Sequence, residues 1–113
     1  MSITPPISET PIYSFVDSLP QSLNFLNNLN ERNLTGLTAV AMTTNANMTV
    51  IVTVTNTLLA HQSAPISITL IANTIIPPTP VDIIITSNEG ATAKATIMVT
   101  GNFHIRKVIT FSS

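Results

Sequence analysis

Residues 48–57 alternate between two kinds of side chain, and this alternation restricts the possible fold more than any other feature. Even positions are apolar and odd positions are mostly threonine: Met48, Val50, Val52 and Val54 against Thr49, Ile51, Thr53 and Thr55. Successive side chains of a β-strand point to opposite faces. The segment therefore predicts a strand with one aliphatic face for a core and one β-branched, uncharged face.

The same pattern recurs along the chain, in residues 37–43, 66–73, 81–86, 92–100 and 103–111. Turn-forming residues separate these segments, among them Asn45-Ala46-Asn47 and Gly101-Asn102. Seven or eight short strands at such intervals are typical of sandwiches and jelly rolls. The sequence predicts an all-β fold, a jelly roll or antiparallel β-sandwich of about eight strands with an extended N-terminal arm.

Two segments are less regular. Residues 75–80 contain Pro77, Pro78 and Pro80, which predict that this segment does not form a central strand. Residues 21–26 combine leucines at helical spacing with a strand-like alternation of Leu23 and Phe25. Because the neighbouring asparagines favour turns over helices, we expect a short strand at 21–26 and a loop at 27–36.

The chain carries very little charge. Charged residues make up 8% of the sequence, against roughly 25% in ordinary soluble domains. The net charge is −1, which gives no attraction for phosphate backbones or anionic membranes, so a nucleic-acid-binding function is rejected. Soluble monomers generally rely on interspersed surface charges. Their scarcity suggests that copies of the chain cover one another.

Residues 1–13 are predicted to form an extended connector arm, followed by a single β-sandwich domain at 14–113. Prolines fix an extended backbone, and isoleucines are spaced between them. One interpretation is a frayed terminus. The other, which we favour, is a segment that lies in an apolar groove of a neighbouring subunit. Its predicted subunit-contacting residues are Ile3, Pro5, Pro6, Ile7, Pro11 and Ile12.

The sequence shows no recognisable catalytic, cofactor or metal site. The absence of cysteine excludes disulfides, thiolate ligands and cysteine nucleophiles. Neither His61 nor His104 has a carboxylate at a metal-binding spacing in sequence, and no Gly-x-Ser-x-Gly motif occurs. The three glycines all lie at predicted turns. We expect a protein that is not an enzyme and carries no cofactor or metal.

The C-terminal segment resembles that of the endospore appendage subunits of Bacillus-group bacteria, which are small jelly-roll proteins that build pilus-like fibres on spores. It begins Thr100-Gly101-Asn102-Phe103, carries basic residues in the middle and ends Thr110-Phe111-Ser112. This similarity covers roughly an eighth of the chain. Chain length and an N-terminal connector before an all-β domain agree with the family. Its better-known members cross-link their fibres through cysteines, so the resemblance implies a non-covalent, cysteine-free variant here.

These observations lead to a structural protein as the expected function. The chain is expected to polymerise head-to-tail into an extracellular fibre on the spore surface, with itself as partner and, by the resemblance, an anchor protein and a tip protein. No signal peptide is recognisable, which agrees with release by lysis of the mother cell. The alternative is a phage or virion decoration protein that forms closed oligomers. A carbohydrate-binding module ranks last because the chain offers few aromatic residues and no tryptophan.

Overall fold

The computed structural model describes residues 1–5 and 12–102. These residues form eight β-strands and no helix, which confirms the predicted all-β class. The strands are β1 (Ser2–Thr4), β2 (Tyr13–Phe15), β3 (Gln21–Asn27), β4 (Thr38–Met42), β5 (Met48–Thr53), β6 (Ser63–Ala72), β7 (Ile75–Thr86) and β8 (Thr92–Asn102).

The strands form two packed sheets of four. The first sheet has the order β1-β3-β6-β5, and the second has the order β2-β8-β7-β4. An immunoglobulin constant domain places its strands A, B, E and D in one sheet and C, F and G in the other. Counting β1 and β2 as two halves of strand A gives that order here. The described strands therefore confirm the sandwich, one of the two predicted forms, with an immunoglobulin-type strand order; the jelly-roll form is not confirmed. All pairs are antiparallel except β2 with β8, which is parallel.

The alternating pattern is confirmed where it is strongest. In β5, Met48 is buried and Val50 and Val52 pack against the core, while Thr49, Ile51 and Thr53 are exposed. Strands β6 and β8 alternate in the same way. The core between the sheets consists mainly of aliphatic side chains, each worth about 1.5–3 kcal/mol when fully buried. Its largest members include Leu26, Ile66, Ile68, Leu70, Ile76, Ile83, Ile85 and Ile97.

Residues 75–80 form a strand despite their prolines, because they begin β7, but this half of β7 is not central in its sheet. The reason is the short length of β4, which pairs only with Asp82–Thr86 of β7. The proline-containing half has a neighbour on one side only, and its pairing with β8 shifts register between Ile76 and Thr79. Proline is tolerated at such edges and irregularities.

Gly101-Asn102 does not form the predicted turn. These residues extend β8, and Gly101 pairs with Ile76 on one side and with Phe15 on the other. Backbone hydrogen bonding to strands on both sides outweighs the turn preference of a Gly-Asn pair. The predicted closing strand at 103–111 lies outside the described residues.

The strand predicted at residues 21–26 is confirmed by β3, and the predicted loop follows it. Buried Asn28 holds this loop against the connection between β5 and β6. Its side-chain Nδ2 lies 2.8, 3.1 and 3.1 Å from the carbonyl oxygens of Arg32, Leu58 and Leu59, so its two hydrogens are shared among three acceptors. A single side chain thus links two loop segments that have little regular pairing of their own.

The predicted boundary at residue 13 does not match the sandwich. Strand β1 pairs with β3 of its own chain, from Ser2 opposite Asn27 to Thr4 opposite Phe25. Tyr13 is fully buried in β2. Apolar burial and edge pairing therefore draw both described ends of the 1–13 segment into the domain.

A buried hydrogen-bond network joins the two sheets. The Tyr13 hydroxyl, in the second sheet, donates to Asn24 Oδ1 in the first sheet at 2.8 Å and accepts the Leu23 backbone N–H at 3.0 Å. The Asn24 amide in turn donates to the Thr4 carbonyl oxygen at 3.4 Å. No buried side-chain polar atom in the described part of the chain lacks a hydrogen-bond partner.

We predict that Tyr13→Phe destabilises the fold by about 1–3 kcal/mol, because it leaves the buried Asn24 oxygen and the Leu23 N–H without their partner. Urea unfolding measures the change. The control is Val16→Ala, since Val16 is 74% exposed and its truncation should change stability by about 0.5 kcal/mol or less. Equal stability of the two variants would contradict the role of the network.

A second prediction concerns alkaline pH. Burial raises the pKa of Tyr13 above its usual value, although hydrogen bonds from the backbone of Leu23 and Asn24 partly oppose this increase. The unfolded chain loses the phenolic proton near pH 10 while the folded chain retains it, so the free energy of unfolding should fall as pH rises above about 10. Tyr13→Phe should lack this part of the fall. Tyr13 is the sole tyrosine in the sequence, so phenolate absorbance reports its titration directly. If the phenol titrates at the same pH in the folded and the urea-unfolded protein, the pKa of Tyr13 is not raised by folding.

Candidate self-association surface

Charge is distributed unevenly between the two sheets. The four strands of the first sheet contain no Asp, Glu, Lys or Arg, whereas the second sheet contains Asp82 and Lys94. Solvent-facing sheet surfaces normally alternate core residues with polar and charged ones. The first sheet is therefore the most unusual surface among the described residues.

Aliphatic and aromatic side chains project from the outer side of the first sheet. Leu23 and Phe25 of β3 are 38% and 44% exposed, Ile51 of β5 is 45% exposed and Ile71 of β6 is 44% exposed. We use the name uncharged face for these four residues together with Thr49, Thr53, Ser67 and Thr69.

Cross-strand pairing makes the uncharged face continuous from β5 to β6. Ile71 lies opposite Thr49, Ile51 opposite Thr69 and Thr53 opposite Ser67, so isoleucine and hydroxyl side chains interleave. Contiguous exposed apolar patches on soluble proteins often mark interaction sites. The flat, β-branched surface suits packing against another sheet.

Polar Asn24 explains why Leu23 and Phe25 point outward. The bond with Tyr13 requires the Asn24 side chain to face the core, and strand alternation then puts both of its neighbours on the outer side. A register shift between Gln21 and Asn24 accompanies this arrangement. Sequence reasoning noticed the alternation of Leu23 and Phe25 but did not identify them as surface residues, because apolar residues in strands usually face the core.

The predicted subunit-contacting residues of the 1–13 segment occupy different environments. Ile3 is half-buried against the core, opposite Leu26 in β3. Pro5 is half-buried and lines a hollow with Met1, Ile3 and residues 92–95 of β8. Ile12 is 54% exposed. Pro6, Ile7 and Pro11 lie outside the described residues.

Strand β1 is attached by a small number of contacts. It has three residues, and β3 is its only hydrogen-bonded strand neighbour among the described elements, although β1 also contacts β8 of the other sheet. Asn27 Nδ2 donates to Thr4 Oγ1 at 3.1 Å, and Asn24 supplies the 3.4 Å bond to the Thr4 carbonyl. Short terminal strands with few buried contacts open at low free-energy cost.

The ionisable side chains away from the uncharged face mainly connect loops. Glu89 accepts hydrogen bonds from the Thr35 backbone N–H at 2.9 Å and from the Thr35 hydroxyl, and these bonds lower the pKa of its carboxyl. His61 Nε2 lies 3.3 Å from Glu31 Oε2, and both side chains are largely exposed. Within residues 1–5 and 12–102, no group of three or more His, Cys, Asp or Glu side chains is placed to hold a metal ion.

The part of the chain that the structure describes contains no helix long and apolar enough to cross a membrane.

Comparisons with known proteins give likeness to solved structures only. No family model and no curated protein matches the chain. Among solved structures, the secreted serine protease VesC from Vibrio cholerae is similar at 11% identity with a TM-score of 0.48. The match covers 80% of this chain and 21% of the protease, so the chain spans about a fifth of that protein's length. At this level the likeness carries no argument about activity.

We predict that the double substitution of Ile51 and Ile71 by lysine weakens self-association. Partial burial of each isoleucine against a second copy contributes about 1 kcal/mol, and introduced like charges repel. The association constant measured by sedimentation should fall at least about tenfold. Stability should change little because both side chains are already exposed.

Val16→Lys provides the matched control, since Val16 is highly exposed and lies outside the uncharged face. It adds the same kind of charge elsewhere. If it weakens association as much per lysine as the double variant does, the effect reflects net charge and the uncharged face is not the contact.

Proposed function

We propose that this chain is a structural subunit that assembles head-to-tail, without covalent links, into an extracellular fibre. The observation that carries the proposal is the uncharged face, a sheet surface with exposed Leu23, Phe25, Ile51 and Ile71 and no charged residue in its strands. Such a surface is poorly suited to water and well suited to lateral packing against other copies. The absence of cysteine excludes disulfide cross-links and therefore supports an assembly held by non-covalent contacts.

Strand exchange by β1 provides a head-to-tail contact. In the single chain, β1 completes the edge of the first sheet beside β3. The same register is available when β1 of one subunit leaves its own β3 and pairs with β3 of the next. Exchange of an identical element preserves the native contacts, including Ile3 opposite Leu26, and therefore costs little energy.

The direction of the exchange determines the kind of assembly. When each subunit gives β1 to one neighbour and receives β1 from another, the contact is heterologous, and it propagates as a filament unless the rotation closes a ring. Reciprocal or ring-closing exchange would instead yield a small closed oligomer, the assembly expected of a virion decoration protein. The test below distinguishes these results.

Placement on the spore surface rests on the resemblance of the C-terminal segment to endospore appendage subunits. In that setting, the fibre would need an anchor protein on the spore and a tip protein as further partners. The uncharged face and the short strand β1 support self-assembly in general and would suit any fibre of this kind.

We predict that deletion of residues 1–5 leaves a folded chain that no longer forms long fibres. This deletion removes β1 but keeps Tyr13, whose hydroxyl still binds Asn24 in the core. Negative-stain electron microscopy measures fibre length, and circular dichroism and urea unfolding verify the fold. Deletion of all of residues 1–13 is a poor test, because it also removes buried Tyr13 and destabilises the sandwich.

A point variant supports the deletion. Ile3→Ser weakens the docking of β1 on β3, whether in its own chain or in a neighbour, and retains the chain length. Val16→Ser, at an exposed position outside the 1–13 segment, is its control. Full-length fibres from the deletion variant would rule out β1 exchange. Discrete rings or dimers from the intact chain would rule out the fibre and favour the decoration protein.

A further inference from the structure

The side of the sandwich formed by β4 and β5 is open. Among the described strands, these two are the last members of their sheets, they pack against each other, and each has a hydrogen-bonded neighbour on one side only. Their inward residues belong to the margin of the core but remain only half-buried: Ala39 and Ala41 in β4, Val50 and Val52 in β5. We call this margin the β4–β5 groove.

Neither edge has the usual protection against strand addition. Native proteins protect edge strands with lysine, proline, inward charges or bulges. Strands β4 and β5 contain none of these residues, and both pair with their neighbours in continuous register. Val40 and Met42 on the outer side of β4 are 53% and 54% exposed. The unpaired backbone groups of β4 can therefore accept an added strand.

The C-terminal segment, residues 103–113, has the sequence of a strand that fits this groove. Its odd positions are Phe103, Ile105, Lys107, Ile109 and Phe111, and its even positions are His104, Arg106, Val108 and Thr110. The odd face offers large apolar side chains to cover the small alanines of β4. Lys107 is the exception, and its long stem allows the ammonium group to reach water at the groove margin.

Charge also matches. The segment has two basic residues and no acidic one, giving +2, whereas residues 1–102 have two basic and five acidic residues, giving −3. Asp82 lies opposite Met42 in the register of β7 with β4, one strand in from the edge. The Thr96 hydroxyl donates to Asp82 Oδ1 at 2.6 Å, which fixes the carboxylate on the outer face of the second sheet.

We propose that residues 103–113 of one copy add to β4 of a second copy as an extra edge strand, with the odd face over the β4–β5 groove and Arg106 directed toward Asp82. Main-chain hydrogen bonds to β4 supply affinity, and the alternating side chains supply specificity, as in other cases of β-strand addition.

The reach of residues 103–113 favours pairing with β4 of a second copy over pairing with β4 of the same chain. Strand β8 ends at Asn102, opposite Ile75, whereas the edge of β4 ends at Met42, opposite Asp82. Seven residues along β7 and two strand spacings across the sheet separate these points, about 25 Å in all. Eleven extended residues span about 36 Å. Of residues 103–113, only about three could therefore pair with β4 of the same chain.

Disulfide trapping in the full-length protein tests the contact, because the natural chain has no cysteine to interfere. Single variants at Arg106, Val108 and Thr110 (each to cysteine) are mixed in turn with Val40→Cys under mild oxidation. A disulfide requires Cβ atoms about 3.5–4.5 Å apart, so a mixed disulfide dimer on a non-reducing gel reports adjacency. We expect at least one tail position to give it efficiently.

Val16→Cys is the control, since Val16 is highly exposed and lies outside both the β4–β5 groove and the uncharged face. Equal or stronger trapping at Val16 would overturn the assignment to β4, and no trapping at any position would overturn the proposal. A double variant with both cysteines in one chain, diluted into excess natural protein, should lose its cross-link; retention as an intramolecular disulfide would show that the contact forms within one chain.

Charge reversal tests the ionic contact. Arg106→Asp in the Val108→Cys chain should lower trapping by about two- to fivefold, and pairing it with Asp82→Arg in the Val40→Cys chain should restore it. If the Asp82→Arg partner fails to restore trapping in low salt, Asp82 is not the ionic partner of Arg106.

The same trapping experiment is repeated in chains that lack residues 1–5. Survival of the cross-link there, with fibres lost, separates this contact from β1 exchange.

Discussion

The hydrogen bond between Tyr13 and Asn24 is the interaction on which the arrangement of this sandwich depends. It crosses the core from the second sheet to the first at 2.8 Å, and Asn24 continues the connection to the Thr4 carbonyl in β1. Both described parts of the N-terminal segment are thereby fixed to one buried amide. In a low-dielectric core, an unpaired polar group is costly, so the members of the network depend on one another.

The same bond determines the chemistry of the outer surface. Because Asn24 faces inward, Leu23 and Phe25 must face outward, where they join Ile51 and Ile71 on a sheet without charges. A buried polar contact has thus placed apolar residues at the surface. Side chains on one side of β3 are buried in the core, and those on the other side belong to the uncharged face.

The proposed contacts lie at opposite sides of the sandwich. Strand β1 closes the first sheet on the side away from β5, whereas the β4–β5 groove opens on the other side. A subunit that gives and receives strands at two different edges makes heterologous contacts, which extend in one direction. The low charge of the chain then favours lateral association, because little electrostatic repulsion separates neighbouring subunits.

The sequence by itself determined the all-β class, the strands with clear alternation and the uncharged character of their outer residues, because these depend on local two-residue periodicity and composition. It did not determine which face of β3 is buried, since that required Asn24 to meet Tyr13 across the core. Nor did it determine that prolines begin β7 or that Gly101 continues β8, since these follow from the length of β4 and from pairing on both sides of β8. Strand order, edge identity and the position of Ile3 beside Leu26 are long-range pairings. Only the tertiary structure decided them, because backbone hydrogen bonds between strands carry no record in the local sequence.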